Sequence, residues 1–341
     1  MLNTVDLFCG GGGLSLGLQY AGFNVVEAFD NWQPAIDFYA TNIKNHKITK
    51  TDLLDADAIS AYLKKIPNLD VIAGGPPCQD FSSAGKRNEN GGRASLTLSF
   101  ARIIASVKPR IFIMENVARA IKSKTFFEAM KIFKSAGYGI TQAVLDASRC
   151  NVPQIRKRVF VVGFLDRKND TLLARYAMRM SDKPMTLRDY FGDSLGIDFY
   201  YRHPRSYARR GIFSIDEPSP TVRGVNRPMP AGYPGHKGDA APVSSKIRSL
   251  TTKERSMIQT FPANWILCGN KSDLEQIIGN AVPVNLAKFV GDCIVSELNN
   301  EKRENKPIPY GVDTTFEQLM LLLEERNSSL SMHNKKKVFN S

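Results

Sequence analysis

One cysteine in this 341-residue chain has a setting suited to nucleophilic chemistry. Cys78 follows Pro76 and Pro77, which come after an apolar run over residues 70–73. Because prolines restrict the backbone, we expect the thiol to be held in one place. If the run is a strand of a doubly wound sheet, the loop lies at the carboxyl edge, where such sheets bind ligands. A free cysteine is more often a small buried hydrophobe, which is our interpretation of the three cysteines that follow.

Two further motifs place charged groups beside apolar strands. Glu115 ends the apolar run over residues 111–114, where partial desolvation would raise the carboxyl pKa and let the group hold or share a proton. Arg156 and Arg158 precede the apolar run over residues 159–164 and point the same way if the backbone is extended. They could lower the pKa of a nearby thiol, or hold an anion or a carbonyl group. In isolation, a solvated strand end and an exposed basic edge remain alternatives.

A glycine cluster follows the first apolar strand. Residues 10–13 are all glycine and open a helical pattern, which is typical of the first strand–helix turn of a nucleotide-binding fold. The G-x-G-x-x-G spacing of dinucleotide sites does not occur at this turn. Asp30 follows the next strand and is placed to hold ribose hydroxyls, and Asp52 is a further acid in this half. A plain tight turn stays an alternative for the cluster.

A regular alternation of strands and helices carries these groups. The apolar runs are residues 25–29, 70–73, 111–114 and 159–164, and helical patterns between them include residues 95–107 and 124–136. This alternation predicts an α/β fold with a parallel sheet and helices on both faces. The rhythm is lost over about residues 167–250 and resumes at a Thr-x-x-Glu capping box that begins at Thr251.

The charge of the chain is concentrated in one segment. There are 46 Lys and Arg residues against 33 Asp and Glu, and the net charge of +13 favours a polyanionic partner. Residues 167–250 hold 15 of the cations, eleven of them Arg, against eight acids. Arginine makes forked contacts to phosphates and to guanine edges. The scattered cysteines, the N-terminal residues and the short apolar runs predict a cytoplasmic, nucleoid-associated protein without membrane, disulfide framework or metal.

Six blocks follow one another in an order that is typical of one enzyme family. The blocks are residues 6–13 (Asp-Leu-Phe-Cys-Gly-Gly-Gly-Gly), 75–79 (Gly-Pro-Pro-Cys-Gln), 115–117 (Glu-Asn-Val), 154–158 (Gln-Ile-Arg-Lys-Arg), 248–262 and 276–283 (Gln-Ile-Ile-Gly-Asn-Ala-Val-Pro). Together they resemble the signature blocks of the DNA (cytosine-5)-methyltransferase family. The resemblance implies a doubly wound, Rossmann-like S-adenosylmethionine-dependent methyltransferase domain with a smaller, loop-rich DNA target-recognition domain.

The resemblance also implies covalent catalysis. Carbon 5 of cytosine is too weakly nucleophilic to attack a methyl donor, and a thiolate added at carbon 6 makes the ring enamine-like. By resemblance Cys78 is this nucleophile, and Glu115 protonates ring N3 and bonds the exocyclic amine. Arg156 and Arg158 steady the carbonyl of the base and the loop around the thiol. S-adenosyl-L-methionine supplies the methyl group and becomes S-adenosyl-L-homocysteine. No histidine lies in a matching block, so the base that removes the carbon 5 proton is not assigned.

The cofactor residues of the family carry over one by one. The implied set is Phe8, Gly10, Gly12, Gly13, Asp30, Asn31, Asp52, Pro76, Leu96 and Asn280. Phe8 would stack on adenine, the glycines would line the methionine part, Asp30 would bind ribose and Asp52 the adenine amine. Many family members have Glu and then Trp at positions 30 and 31. We therefore expect a longer or water-mediated ribose contact from Asp30, and whether Trp32 replaces the missing aromatic ring stays open.

The family reaches a cytosine inside duplex DNA by flipping it out of the stack. The implied DNA contacts are Ser82, Arg87, Gln154, Arg223 and Arg227. Residues 167–245 are the implied target-recognition domain, and residues 1–166 plus 246–300 are the catalytic domain. The loop at residues 82–93 is implied to close over the DNA. Residues 301–341 are predicted to be a C-terminal extension with a short helix and a polar tail.

Three other functions fit part of the pattern. An RNA (tRNA) cytosine-5 methyltransferase shares the catalytic blocks, although the basic recognition segment favours duplex DNA. A non-catalytic DNA-binding regulator is disfavoured because both Cys78 and Glu115 are present. A nicotinamide oxidoreductase is disfavoured by the glycine spacing. We expect a monomer of the prokaryotic restriction-modification or orphan type, with a recognition sequence that the loops do not reveal.

Overall fold

The computed structural model describes residues 1–77 and 94–299. The strands in these ranges are β1 (Asn3–Leu7), β2 (Asn24–Asp30), β3 (Lys47–Lys50), β4 (Val71–Gly74), β5 (Ile111–Val117), β6 (Tyr138–Asp146), β7 (Gln154–Ile155), β8 (Lys157–Leu165), β9 (Phe199–Tyr201), β10 (Ile212–Ser214), β11 (Ser219–Pro220) and β12 (Arg248–Ser249). The helices are α1 (Gly13–Tyr20), α2 (Gln33–Asn42), α3 (Ala56–Leu63), α4 (Ala94–Val107), α5 (Lys124–Ser135), α6 (Leu173–Arg179), α7 (Leu187–Phe191), α8 (Thr252–Ile258), α9 (Lys271–Asn280) and α10 (Val284–Leu298). The predicted residues Cys78, Ser82 and Arg87, the loop at 82–93 and the extension at 301–341 lie outside the described residues.

Seven of these described strands form one sheet in the order β3-β2-β1-β4-β5-β8-β6. The five strands from β3 to β5 in this order are parallel to their neighbours, whereas β8 pairs antiparallel with both β5 and β6. The strand order reverses between β1 and β4, because the chain winds outward to β3 and then returns to the other side of β1. In doubly wound sheets this reversal opens a ligand crevice at the carboxyl ends of the strands. The predicted α/β fold is therefore confirmed.

The antiparallel edge differs from the wholly parallel sheet that the alternation predicted. Only residues 147–156 join β6 to β8, and no α-helix lies among them. A parallel connection needs a crossover of roughly a dozen or more residues, usually with a helix. The short link therefore forces β8 to run back along β6.

Helices cover both faces of the large sheet. On one face, Leu14 and Leu18 of α1 pack with Val290 and Ile294 of α10 against the strands. On the other face, residues of α3, α4 and α5 pack in a second cluster that includes Phe100 and the other side of β5. Packing of the helices removes the apolar surface of each sheet face from water, which stabilises the layered arrangement.

One apolar stretch in the described residues, Lys271–Leu298, is long enough to cross a membrane by length and composition. It consists of two helices, α9 and α10, which are separated at residues 281–283. Pro283 lacks a backbone N–H and stands immediately before α10, where a proline is tolerated. Since 72% of the apolar window is buried in the protein, its composition is explained by core packing.

Residues 167–250, the arginine-rich segment that we call the recognition segment, form a smaller part of the fold with little regular structure. Its three-stranded sheet has the order β10-β9-β12, and β11 pairs in parallel with β7 of the catalytic half. A hydrophobic cluster joins Tyr200, Phe213 and Val222 of this segment to Ile258 of α8 and Ile278 of α9. The segment is thus anchored on the late helices by a shared core.

The first helix of the predicted recognition segment packs elsewhere. Tyr176 of α6 lies in the cluster beneath α10, and Arg175 forms a buried ion pair with Glu297 of α10, with Nε 3.1 Å from the carboxylate. The boundary expected near residue 167 therefore falls before a helix that packs on the large sheet. The end of the strand–helix alternation near residue 167 is a local pattern, so it did not reveal the long-range contact between Arg175 and Glu297.

Candidate active site

Glu115 lies near the end of β5, beside Arg158 of the adjacent antiparallel strand. Its carboxylate Oε1 is 3.0 Å from Arg158 Nε, and the two side chains are only 11% and 14% exposed. Burial raises the pKa of the Glu115 carboxyl above its usual value, while the charges of Arg158 and Arg156 act in the opposite direction. The site thus holds an oriented carboxyl whose proton is retained more readily than that of a solvated glutamate.

The chain that leads to Cys78 runs beside this carboxyl. A Cβ atom added at Gly75 would lie 3.2 Å from Glu115 Oε2. The side-chain amide of Asn116 donates a hydrogen bond to the carbonyl oxygen of Pro76 at 3.2 Å. The structure therefore brings the 75–77 and 115–117 motifs together at the carboxyl edge.

Arg156 has three backbone partners inside the protein. Its side chain is fully buried, Nη1 donates to the carbonyl of Val222 at 3.0 Å, and Nη2 donates to the carbonyls of Gly279 and Ala281, each at 2.9 Å. Burial, then the charge of Arg158, lowers the pKa of the guanidinium well below its usual value. These three backbone contacts hold Val222 against the end of α9, and the contact of Arg156 with the base carbonyl stays a prediction.

Gln154 likewise has partners inside the protein. The side chain is fully buried, Oε1 accepts from the backbone N–H of Val222 at 2.8 Å, and Nε2 donates to Gln259 Oε1 at 2.8 Å. Both ends of the amide are thus engaged within the protein, and the DNA contact expected from the resemblance stays a prediction. Val222 is consequently held through its N–H by Gln154 and through its carbonyl by Arg156.

The recognition segment also touches α9 backbone to backbone. A Cβ atom added at Gly279 would lie 2.2 Å from the amide nitrogen of Gly224 and 2.4 Å from the carbonyl carbon of Arg223. Only glycine at position 279 allows this approach. The backbone at Arg223, a predicted DNA contact, is therefore fixed against α9.

The glycine turn after β1 has one open position. Nothing lies within 4 Å of a Cβ atom added at Gly10, whereas one added at Gly12 would lie 2.9 Å from Tyr39 Cδ2 and one at Gly13 would lie 2.1 Å from the carbonyl oxygen of Val282. The space where a Cβ atom of Gly12 or Gly13 would lie is thus occupied by other residues of the chain. Among the three predicted glycines, the open space needed by a ligand is beside Gly10.

A match to one protein family covers nearly the whole chain. The family model for C-5 cytosine-specific DNA methylase matches residues 2–296. The chain belongs to this family. The chain is 53% identical over 297 residues to type II methyltransferase M.HindV of Haemophilus influenzae, covering 86% of the chain and 97% of the relative. It is 52% identical over 303 residues to type II methyltransferase M.HgiDI of Herpetosiphon aurantiacus, covering 89% and 97%.

The fold of this methylase is also similar to solved structures. The Dnmt2 methyltransferase of S. pombe superimposes with a TM-score of 0.62 at 18% sequence identity, over 87% of the chain and 99% of the solved one. At this identity the comparison supports the Rossmann-like α/β fold alone. The predicted family, fold and methyltransferase class are confirmed by the family match and the two relatives.

The predicted cofactor residues of the methylase follow four neighbouring strands. Phe8 comes directly after β1, Asp30 ends β2, Asp52 follows β3 and Pro76 follows β4. Because adjacent strands lie about 4.8 Å apart, four neighbouring ends span roughly 14 Å. This length suits an extended nucleoside with an amino-acid tail. Of the remaining predicted residues, Asn31 follows Asp30, Leu96 lies in α4 and Asn280 ends α9. Leu96 is buried, and the other two are exposed.

The carboxylate of Asp30 is partly used by the turn itself. Oδ2 accepts from the backbone N–H of Gly10 at 2.8 Å, and Oδ1 accepts from the backbone N–H of Trp32 at 2.9 Å. Each carboxylate oxygen has a second acceptor site, so ribose hydroxyls remain compatible with these bonds. The shorter acid thus stabilises the glycine turn as well as facing the crevice.

Sequence reasoning missed the role of Asp6 in β1. The side chain is fully buried, Oδ2 accepts from the Ser15 hydroxyl at 2.5 Å, and Oδ1 has no hydrogen-bond partner in the described part of the chain. Burial raises the pKa of Asp6 to about 7. An acid in the middle of an apolar strand was the available signal.

Asp6→Asn is expected to stabilise the methylase at neutral pH. Because the pKa is raised from 3.8 to about 7, the native state binds the Asp6 proton more tightly than the unfolded state. The contribution is therefore fully present below about pH 4 and is lost as pH rises through 7. At 1.36 kcal/mol per pKa unit, the stability gained by the variant should grow across this window toward at most about 4 kcal/mol.

Urea unfolding at a series of pH values measures this effect. Asp182→Asn, at an exposed position, serves as the matched control and should follow the wild-type pH dependence. Parallel stability curves for Asp6→Asn and the wild type would contradict the titration of Asp6.

Within the described ranges, no group of three or more His, Cys, Asp or Glu residues could hold a metal ion.

Proposed function

We propose that the chain transfers a methyl group from S-adenosyl-L-methionine to carbon 5 of a flipped-out cytosine in a specific duplex DNA sequence. The observation that carries the proposal is the buried Glu115 carboxyl, held by Arg158 and adjoining the chain that leads to Cys78. In this reaction the Cys78 thiolate adds to carbon 6 of the ring. Formation of the C5–methyl bond would break the sulfur–methyl bond of the donor and leave S-adenosyl-L-homocysteine. A base then accepts the carbon 5 proton, and the C6–sulfur bond breaks to release the thiolate.

Glu115 has a proposed role in the addition step. Attack at carbon 6 drives electron density toward ring N3 and the carbonyl, so a proton supplied at N3 stabilises the adduct. Because burial raises the pKa of Glu115, its carboxyl retains that proton to a higher pH than a solvated glutamate does. The same carboxyl can accept from the exocyclic amine, which distinguishes cytosine from uracil or thymine. Arg158 holds the orientation of the carboxyl through the contact at Oε1.

The strand ends that hold Phe8, Asp30, Asp52 and Pro76 are the proposed cofactor site. The family uses S-adenosyl-L-methionine, whose sulfonium carries the transferable methyl group. The open space beside Gly10 and the Asp30 carboxylate fit a ligand with ribose hydroxyls. We propose that Gly12 and Gly13 contribute through backbone contacts alone, because their side-chain positions are occupied by other residues.

Duplex DNA is the proposed substrate, in preference to transfer RNA. The chain matches the DNA methylase family, and the match spans 97% of M.HindV and 97% of M.HgiDI. The arginine-rich segment supplies positive charge for phosphates. We propose that residues 181–245 form most of the target-recognition domain. We further propose a monomeric, cytoplasmic enzyme that associates with DNA.

A covalent trapping experiment tests the proposed function. A duplex in which 5-fluorocytosine replaces the target base cannot lose a proton from carbon 5, so the enzyme should remain attached after methylation. The adduct is expected with the wild type and with the control Cys268→Ala, and Cys78→Ala should abolish it. Gel electrophoresis under denaturing conditions measures the adduct. Transfer of a labelled methyl group to transfer RNA and not to DNA would contradict the proposal.

A further inference from the structure

A cluster of cations lines a small cavity in the recognition segment. Arg202, Arg223, Arg227 and Arg255 line this cavity beside His203, whose pKa is lowered by burial. The cavity has a volume of about 30 Å³, and we call it the arginine pocket. Arg255 forms an ion pair with Glu275, whereas Arg202, Arg223 and Arg227 form none with a carboxylate among the described residues. Arg188, by contrast, contacts three aspartates. The arginine pocket therefore holds three guanidinium groups without a counter-ion from the described part of the protein.

Two guanidinium groups of the pocket are held by backbone carbonyls. Arg202 Nη2 donates to the carbonyl of Thr221 at 3.0 Å, and Arg223 Nη2 donates to the carbonyl of His203. A guanidinium has five N–H donors, so each of these side chains keeps further donors after its backbone contact. A ligand that binds here would immobilise little additional side chain, which favours affinity.

The charges in the pocket repel one another. Burial, then the charge of Arg223, lowers the pKa of Arg202 to about 10. Burial, then the charges of Arg205 and Arg227, lowers the pKa of Arg223. Arg202 stays protonated at neutral pH, so the repulsion persists and is relieved when an anion binds.

We propose that the arginine pocket binds one phosphate group of the DNA backbone, an inference that rests on the proposed function. Guanine presents two acceptors to a single arginine, whereas three convergent cations match the charged oxygens of a phosphate. The cavity volume of about 30 Å³ is sufficient for small polar groups such as inserted phosphate oxygens.

The pocket is tied to the candidate active site through one wall residue. Val222 lines the pocket, and its carbonyl accepts from Arg156, whose charge in turn acts on Glu115. A phosphate held in the arginine pocket therefore fixes the register of the duplex relative to the Glu115 carboxyl. Phosphate contacts of this kind position DNA without reading its sequence.

The salt dependence of DNA binding tests the proposal. For Arg202→Gln, affinity should fall on the order of 10-fold, and by the same factor on cognate and non-cognate duplexes. The slope of log K against log salt should decrease in magnitude by about 0.9. Lys131→Gln on α5 removes one charge outside the recognition segment and is the matched control, with a slope close to the wild-type value.

A second measurement keeps the proposal distinguishable from a folding defect. In a cognate duplex, each phosphate is replaced in turn by a neutral methylphosphonate. The wild type should lose affinity at one position where Arg202→Gln is insensitive, while the variant responds normally at the other positions. An unchanged salt slope, or a loss confined to the cognate sequence, would overturn the inference. Failure of the wild type to methylate duplex DNA would instead overturn the proposed function, because the salt slope is measured by binding alone.

Discussion

Glu115→Gln is expected to lower kcat for methyl transfer by about 10²–10⁴-fold. The amide keeps an acceptor for the exocyclic amine of cytosine and a donor for N3, so the base can still bind. It cannot supply a full proton to N3 when the Cys78 thiolate adds to carbon 6. The KM for DNA should therefore change much less than kcat. Single-turnover transfer of a labelled methyl group to duplex DNA separates the two effects.

The pH profile gives an independent measurement of the same group. Since burial raises the pKa of Glu115, the wild-type rate should fall as this carboxyl loses its proton at higher pH, and that limb should be absent in the variant. Glu128→Gln on the exposed side of α5 is the control and should keep the wild-type rate. A loss confined to KM, or an unchanged pH profile, would argue against proton donation by Glu115.

Arg156→Met is expected to lower the free energy of unfolding by about 3–5 kcal/mol. The substitution removes the guanidinium donor from the buried carbonyls of Val222 and Gly279, and each unsatisfied buried group costs about 1–3 kcal/mol. The carbonyl of Ala281 keeps a hydrogen bond from Gln259 Nε2 at 3.2 Å. Partial relaxation limits the sum. Because Val222 belongs to the recognition segment, the KM for DNA should also rise. Urea unfolding and steady-state kinetics measure the two effects.

A neighbouring substitution and a conservative one make this experiment specific. Lys157→Met alters the next, exposed position and should change stability by no more than about 0.5 kcal/mol. Arg156→Lys restores a charge but lacks the planar fork that reaches several carbonyls, so rescue should be incomplete. A stable Arg156→Met protein with reduced kcat alone would favour direct contact with the base over the positioning role.

The positions of the strand-end residues could be predicted from the sequence. Phe8, Asp30, Pro76 and Glu115 each stand next to an apolar run, and the structure places all four at or beside the ends of strands in the large sheet. This succeeded because alternating strands and helices of this length have few possible topologies. The glycine turn was predictable for the same reason, since its residue types determine its local backbone.

The partners of Gln154 and Arg156 could not be predicted in this way. Both side chains bind Val222, which lies more than 60 positions away, and Arg156 also binds residues more than 120 positions away. A polar motif at a strand start has the same local pattern whether it faces solvent or a returning segment. The buried contact of Arg175 with Glu297 escaped prediction for the same reason.

The close approach of Gly279 to Gly224 has a consequence for how new specificities could evolve. We expect that loops beyond this crossing could be exchanged between related enzymes without altering the chemistry at Glu115. An exchanged cassette must nevertheless keep the Val222 backbone available to Gln154 and Arg156 and must place no bulk against Gly279. Successful chimaeras should therefore have their junctions outside residues 222–224. Residues 222–224 would then stay with the catalytic domain, and the loops beyond them would be the part that can be transferred.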